Sequence, residues 1–236
     1  MLQHNPRALG ENPIPSESVE NYLKAIYEIE EETGRVNTSS LAELLSVSAP
    51  SVTAMVKRLS QEDPPLVNHE SHQGVTLTQH GRERALEIIR HHRLLETFLC
   101  TVLDYSWDEV HEEAERLEHY ISEKLEDRIA KHLGYPKYDP HGAPIPTKDG
   151  QIPEIQYLPL SALESGQSAV VLRVKHDRPD LLRYLASLGI QPNETVTVTE
   201  KAPFDGPVHV RVGTQVDQPP QAIGPGVADL VLVRVK

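Results

Sequence analysis

The sequence predicts a mainly α-helical chain with a β C-terminal domain: a winged helix-turn-helix, a helical dimerisation domain and an SH3-like β-barrel. Three observations carry that reading. Residues 17–60 hold three helical patterns followed by two short strand patterns. Two long amphipathic stretches fill residues 81–133, and from Ser168 short apolar alternations are punctuated by Gly and Pro. The expected boundaries are 1–81 for the winged helix, 82–146 for the helical domain, 147–164 for a linker and 165–236 for the barrel.

Val19, Leu23, Ile26, Tyr27 and Ile29 follow helical spacing, and Gly34 supplies a stop. Thr38, Ser39 and Ser40 offer N-caps for a short helix over Leu41–Leu45. Ser48 caps a third helix, with Pro50 in its first turn, where a missing N–H does no harm. That helix turns Val52, Met55, Val56 and Leu59 inward and Ser51, Thr53, Ala54 and Lys57 outward, and Pro64-Pro65 stops it. Leu66–His69 and Val75–Thr78 then read as two strands joined by Glu70–Gly74, the pattern of a helix-turn-helix with a wing. A small helical core with no DNA role is the bland alternative. Against it, the outer face of the third helix carries small hydroxyls and the pair Lys57-Arg58, not the Glu/Lys mixture of an ordinary solvated face.

A helix over Gly81–Val102 carries Leu86, Ile89, Leu94, Leu95, Phe98 and Leu99, and a second runs from Trp107 to Leu133, with Gly134 and Pro136 beyond it. Paired long amphipathic helices after a winged helix suit a dimer interface, and a palindromic double-stranded operator would match its two-fold symmetry. Residues 136–163 are rich in Pro and Gly and read as a linker or irregular arm. Beyond them, strands are expected at Ala169–Val174, Thr195–Thr199, Val208–Val212 and Leu230–Val235, with a helical turn at Pro179–Leu188.

Composition narrows the function. The single cysteine, Cys100, rules out an intrachain disulfide and cysteine-rich zinc modules, and fits a reducing cytoplasm. No apolar run reaches about eighteen residues and no signal-peptide pattern is present, so no membrane role is expected. The formal net charge of -12 is awkward for a nucleic-acid binder. Between Val36 and Arg84, however, Lys57, Arg58, Arg82 and Arg84 nearly balance Glu43, Glu62, Asp63, Glu70 and Glu83. DNA binding then needs a device that offsets repulsion, and a bound cation is one.

The count of 12 histidines points the same way. His92 and Glu96 share a helix face, and His111, Glu115, Glu118 and His119 stand at i, i+4, i+7 and i+8 on the next helix. Imidazole and carboxylate without thiolate suit manganese or ferrous iron. An acidic solvated face is the competing reading, because Glu109, Glu112 and Glu113 are interleaved. A carboxylate/His metalloenzyme is the rival from another class. It lacks support from any HExxH or paired Glu-x-x-His motif, so no enzyme is expected. A constitutive DNA-binding protein with a merely structural His/Glu stripe is the third reading.

The run Ser18-Val-Glu-Asn-Tyr-Leu-Lys-Ala-Ile-Tyr-Glu-Ile-Glu-Glu-Glu, then Ser48-Ala-Pro-Ser-Val-Thr-Ala-Met-Val, resembles the diphtheria-toxin-repressor family, which includes the manganese transport regulators. The resemblance continues through His92-Arg-Leu-Leu-Glu96, His111-Glu-Glu-Ala-Glu-Arg-Leu-Glu-His119 and Asp139-Pro-His-Gly-Ala-Pro-Ile-Pro146. It covers most of residues 16–146, and the final barrel resembles the family's SH3-like, FeoA-type domain. It implies a homodimeric, metal-activated regulator, usually a repressor of metal-uptake genes. One metal position would use His92, Glu96 and His111, with barrel ligands near His176 at Asp177 and Asp180. The other would use Glu115, Glu118, His119 and the N-terminal Asn21.

The departures bear on the metal. Glu115 stands where the iron-type branch has Cys, which favours Mn2+ over the alternative Fe2+. Asn21 stands where those branches have Met or Asp, and Lys24 replaces an acidic residue that some manganese regulators use for a second, closely spaced ion. Ligation near Asn21 would set the angle between two DNA-reading heads. On the recognition helix Ser48, Pro50, Ser51 and Thr53 are expected near base edges or phosphate. Lys57, Arg58 and Ser39 are expected on phosphates, and His72-Gln73 in the wing on the adjacent backbone.

Overall fold

The computed structural model describes residues 17–70, 74–153, 155–176, 178–213 and 219–236. The chain divides into two compact units, Met1–Ile88 and Ile89–Lys236. Among the described residues no helix is long and apolar enough to cross a membrane.

In the first unit α1 (Glu17–Thr33) buries Val19, Tyr22, Leu23, Ala25, Ile26, Tyr27 and Ile29. It ends at Gly34, whose φ of 68° brings its N–H to the Glu30 carbonyl at 2.9 Å. No basic residue lies in its last turn. Arg82 compensates, 2.8 Å from Glu31, 3.6 Å from Glu30 and 4.8 Å over the Tyr27 ring.

The next helix, α2 (Thr38–Leu44), is capped one residue earlier than the Thr-Ser-Ser run suggests. Asn37 Oδ1 accepts from Ser40 N at 2.8 Å, and Ser40 Oγ accepts from Asn37 N at 3.3 Å. Ser48 caps α3 (Ala49–Leu59), with Pro50 in the first turn as expected. Val52, Val56 and Leu59 are buried and Met55 is half-buried. The wing is an antiparallel pair, β1 (Val67–Glu70) and β2 (Gly74–Leu77), with Val67 opposite Leu77. Its tip, including His72 and Gln73, lies outside the described residues. Behind the wing, Gly81 lies so close to the Leu66 carbonyl that a Cβ would sit 1.9 Å from its oxygen.

Helix α4 (Gln79–Leu103) matches the first long amphipathic stretch. The second does not form one helix: it divides into α5 (Val110–Leu117) and α6 (Glu123–His132). The reason is local. Ser122 takes an extended conformation and its hydroxyl accepts from Leu125 N, so a new helix starts there. Gly134, at φ 73°, closes α6 as its sequence signal predicts. The second unit's helical core holds Leu94, Leu95, Leu99, Val110, Ala114, Ile129, Ala130 and Ile145.

The barrel also lies in this unit. It comprises β3 (Leu158–Pro159), β4 (Ser168–Val174), α7 (Pro179–Ser187), β5 (Thr195–Lys201), β6 (Val208–Val212), β7 (Gln221–Ile223), α8 (Pro225–Ala228) and β8 (Val231–Val235). The antiparallel sheet runs β3-β8-β4-β5-β6-β7. Alternate residues Ala169, Val171, Val196, Val198, Val208, Val210, Val231 and Val233 fill its interior with Leu182, Leu185 and Ile190 of the α7 region. The barrel starts earlier than composition suggests. Leu158-Pro159 pairs with β8, and Leu160 and Leu163 are core residues, so the end of the expected linker belongs to the barrel.

Candidate metal centre

The centre grows from one face of α4. His92 and Glu96, one turn apart, are 6% and 2% exposed. Glu96 Oε1 lies 3.0 Å from His92 Nε2 and 3.3 Å from His111 Nδ1 on α5, and the two imidazole nitrogens are 3.1 Å apart. An octahedral ion with bonds of about 2.1 Å sets neighbouring ligand atoms about 3 Å apart, so these three atoms have the spacing of a coordination face.

The orientation of His92 supports this. Its Nδ1 meets the carboxylate of Glu118, which is fully buried and only accepts when ionised. Nδ1 therefore carries a proton, and Nε2 is the nitrogen turned toward Glu96 and His111. A carboxylate fixing the tautomer of a ligating histidine is a recurrent metal-site device.

On the other side of His92, Glu115 Oε2 stands 3.5 Å from Nδ1, and His119 Nε2 stands 3.6 Å from Glu118 Oε1. Glu118 is the C-cap of α5, and His119 lies just past it, so the break before α6 turns the expected stripe into a helix-end cluster. His92, His111 and Glu115 each offer a ligand atom within 4.8 Å of one another.

Asp139 and His141 are the residues that sequence reasoning missed. Glu96, Asp139 and His141, all buried, form a second group whose ligand atoms lie within 4.8 Å of one another. Asp139 Oδ1 accepts from His141 N and Ala143 N, folding the turn, and Arg93 Nε approaches Oδ2 at 3.7 Å. His141 Nδ1 faces Glu96 Oε2 at 3.6 Å. The available signal was the pairing of two N/O donors in Asp139-Pro-His141-Gly.

Electrostatics follow from burial. Desolvation alone would raise the Glu96 carboxyl, but His92, His111 and His141 hold it well below the ordinary range. Burial and the charge of Glu96 raise Asp139, against the pull of Arg93. His141 is raised to about 9: burial opposes the imidazolium, and the hydrogen bond and charge of Glu96 outweigh it. Burial pushes the Cys100 thiol up to about 12, helped by Glu96 and Asp139. A divalent cation suits such a set, because acidic groups crowded out of water need positive charge among them.

The other expected ligands fall elsewhere. Asp180 is exposed at the start of α7 and paired with Arg178 at 2.6 Å, and Asp177 lies outside the described residues. In the first unit the Asn21 side-chain oxygen is buried and has no hydrogen-bond partner among the described residues. Lys24, one turn on, is buried.

The described residues expected to face DNA lie on α2 and on α3 with its N-cap. Ser39, Ser48, Pro50, Ser51, Thr53, Lys57 and Arg58 are all exposed. Thr53 Oγ1 donates to the Ala49 carbonyl at 3.0 Å, leaving its methyl and an oxygen lone pair outward, and Ser48 and Ser51 hydroxyls pair at 2.8 Å. Arg58 shares its charge with Glu62 at 3.6 Å.

Three family models match in order along the chain. They are the iron-dependent repressor N-terminal DNA-binding domain over residues 16–75, the iron-dependent repressor metal-binding and dimerisation domain over 78–147, and the FeoA domain over 158–235. The iron-dependent repressor IdeR of Mycobacterium leprae is 36% identical over 194 residues, 77% of this chain and 84% of its own length. A solved manganese-dependent transcriptional repressor in complex with manganese is 39% identical. It superposes with a TM-score of 0.83 over 92% of this chain and 100% of its own. The manganese regulator SloR gives 35% identity and a TM-score of 0.73 over 92% and 98%. These relatives are DNA-binding regulators, which sets the metalloenzyme reading aside. With a winged helix, a histidine-carboxylate centre and an SH3-like barrel in one chain, and with these matches along it, the chain belongs to the diphtheria-toxin-repressor family of metal-dependent transcriptional repressors.

Proposed function

We propose that this repressor is activated by manganese and acts as a homodimer on a two-fold symmetric operator. The donor set carries the reading: the clustered ligand atoms are imidazole nitrogens and carboxylate oxygens, with Glu115 at the position where a thiolate would favour a softer ion. One metal position takes His92, Glu96 and His111. A second takes Glu115, Glu118 and His119, with Asn21 as the further ligand that the family resemblance implies. Asp139 and His141 extend the first position through Glu96. When bound, the ion supplies positive charge to buried carboxylates and joins α4 to α5.

The chain's own residues do the rest. Glu118 orients His92, Asp139 shapes the turn that presents His141, and Arg93 donates to the Pro144 carbonyl to hold that arm. On the DNA side Ser48, Pro50, Ser51 and Thr53 take base edges, and Lys57, Arg58 and Ser39 take phosphates. His72 and Gln73 remain assigned to the wing. Apolar Val102, Leu103 and Tyr105, exposed at the end of α4, supply surface for the dimer. Ferrous iron is the second reading, favoured by the iron-dependent name of the mycobacterial relative.

Gel-shift titration on the protein's own promoter, in chelator and then with manganese, ferrous iron, cobalt or zinc, tests both readings. Manganese tightening binding at least tenfold, at lower concentration than iron, is the expected result. Equal binding in chelator would remove the metal-activation reading.

A further inference from the structure

Successive residues on a helix point about 100° apart, so His91 faces a different element from its neighbour His92. His92 meets α5, and His91 meets the start of α6. The His91 side chain is 9% exposed, and its Nε2 lies 3.3 Å from Glu123 Oε1 and 3.8 Å from Glu126 Oε2. Glu126 is buried and Glu123 is exposed, so the group is closed at its base and open to solvent at its rim.

Each carboxylate is held by its other oxygen. Arg90 Nε donates to Glu126 Oε1 at 2.6 Å, and Lys148 Nζ approaches Glu123 Oε2 at 3.7 Å. The oxygens left over are the ones beside the imidazole. Both cations are anchored in turn: Arg90 donates to the Pro146 carbonyl at 2.6 Å, and Lys148 pairs with Asp127 at 2.6 Å. Outer partners that orient a ligating carboxylate in this way are a regular part of metal sites. One turn before His91, on the same face of α4, the helix carries a further carboxylate, Glu87.

None of these residues belongs to the manganese positions proposed above. A tetrahedral zinc ion with bonds of about 2.0–2.1 Å sets its ligand atoms about 3.4 Å apart, close to the spacing of His91 and Glu123. Nitrogen and oxygen donors also bind zinc more tightly than manganese in the general order of divalent affinities. Carboxylates only accept, so Nε2 carries a proton in the metal-free protein, and a bound ion replaces it.

We infer that His91, Glu123 and Glu126 form a zinc site, separate from the manganese positions, that fastens the start of α6 to α4. Water completes the coordination at the open rim. The inference does not rest on the manganese reading.

Equilibrium dialysis of the full chain against zinc chloride tests it, with bound metal counted by atomic emission in wild type, His91→Gln and Glu123→Ala. The lowest free zinc that saturates the wild type is used, and the count is repeated with manganese chloride. Zinc can enter the other positions too, so the difference between proteins is what is read. The expected result is one zinc fewer per chain in both variants, with the manganese count unchanged. An equal zinc count in wild type and variants overturns the site. Loss of manganese together with zinc in both variants also overturns it, because the group would then belong to the manganese positions. A wild type that binds no manganese, while both variants still lose one zinc, keeps the site and removes the manganese reading. If His91→Gln fails to fold, Glu123→Ala, altered only at an exposed side chain, decides.

Discussion

His92 Nε2 lies 3.0 Å from Glu96 Oε1, one turn along α4, with both side chains almost wholly buried. Glu96 is also the carboxylate that meets His111 and His141, so it is the residue on which the centre converges. Glu96→Gln keeps volume and removes the charge. Manganese affinity measured by calorimetry is expected to fall by at least about 100-fold, the upper end of what outer-shell partners of metal sites cost. A change of less than about threefold would show that Glu96 is a structural acid.

A pH dependence follows from His141, which is raised to about 9 in the metal-free protein. A basic group raised on folding stabilises the fold fully below its unfolded value of about 6.5 and loses that contribution as pH rises through the folded value. The melting temperature in chelator is therefore expected to decline between pH 6.5 and pH 9, and His141→Phe to flatten that decline. A wild-type profile that is level across this window would contradict the assignment.

The proposed recognition surface is expected to separate two kinds of contact. Thr53→Ala should weaken operator binding by about 1–3 kcal/mol and leave binding to random DNA nearly unchanged. Lys57→Ala should weaken both alike and reduce the salt slope by about 1. Salt-dependent fluorescence anisotropy on operator and scrambled duplexes measures each. Equal losses for Thr53→Ala on the two duplexes would remove its base-reading role.

Gly81→Ala tests the joint behind the wing, where a Cβ would meet the Leu66 carbonyl oxygen at 1.9 Å. Backbone is a stiff neighbour, and overpacking of this kind costs about 1–3 kcal/mol. Urea unfolding should show that loss. Wild-type stability would mean the wing shifts freely.

Much of this was legible in the sequence because short-range rules govern it. Ser48 and Pro50 announce α3, and the inward set Val52, Val56 and Leu59 follows from helical period alone. His92, Glu96 and His111 were found by spacing, and the structure brings their ligand atoms together. The break between α5 and α6 was missed because apolar period continues across it, while the Ser122 cap is a local event that outweighs propensity. Asp139 and His141 were not assigned because their partner Glu96 is more than forty residues away and only tertiary packing joins them. Asp180, a ligand only by the family resemblance, lies exposed, and its carboxylate pairs with Arg178 two residues before it.

The reading face of α3 has a consequence for how operators are found. It offers hydroxyls, Pro50 and Lys57, with Arg58 already shared with Glu62, on a chain of net charge -12. If these residues are the DNA contacts, as proposed, few phosphate contacts would release few counterions, so affinity for arbitrary sequence would be low and its salt slope shallow. Such a protein would spend little time sliding along the chromosome. It would sample DNA by brief three-dimensional encounters, and its residence on a promoter would be set by how slowly the correctly read site lets go.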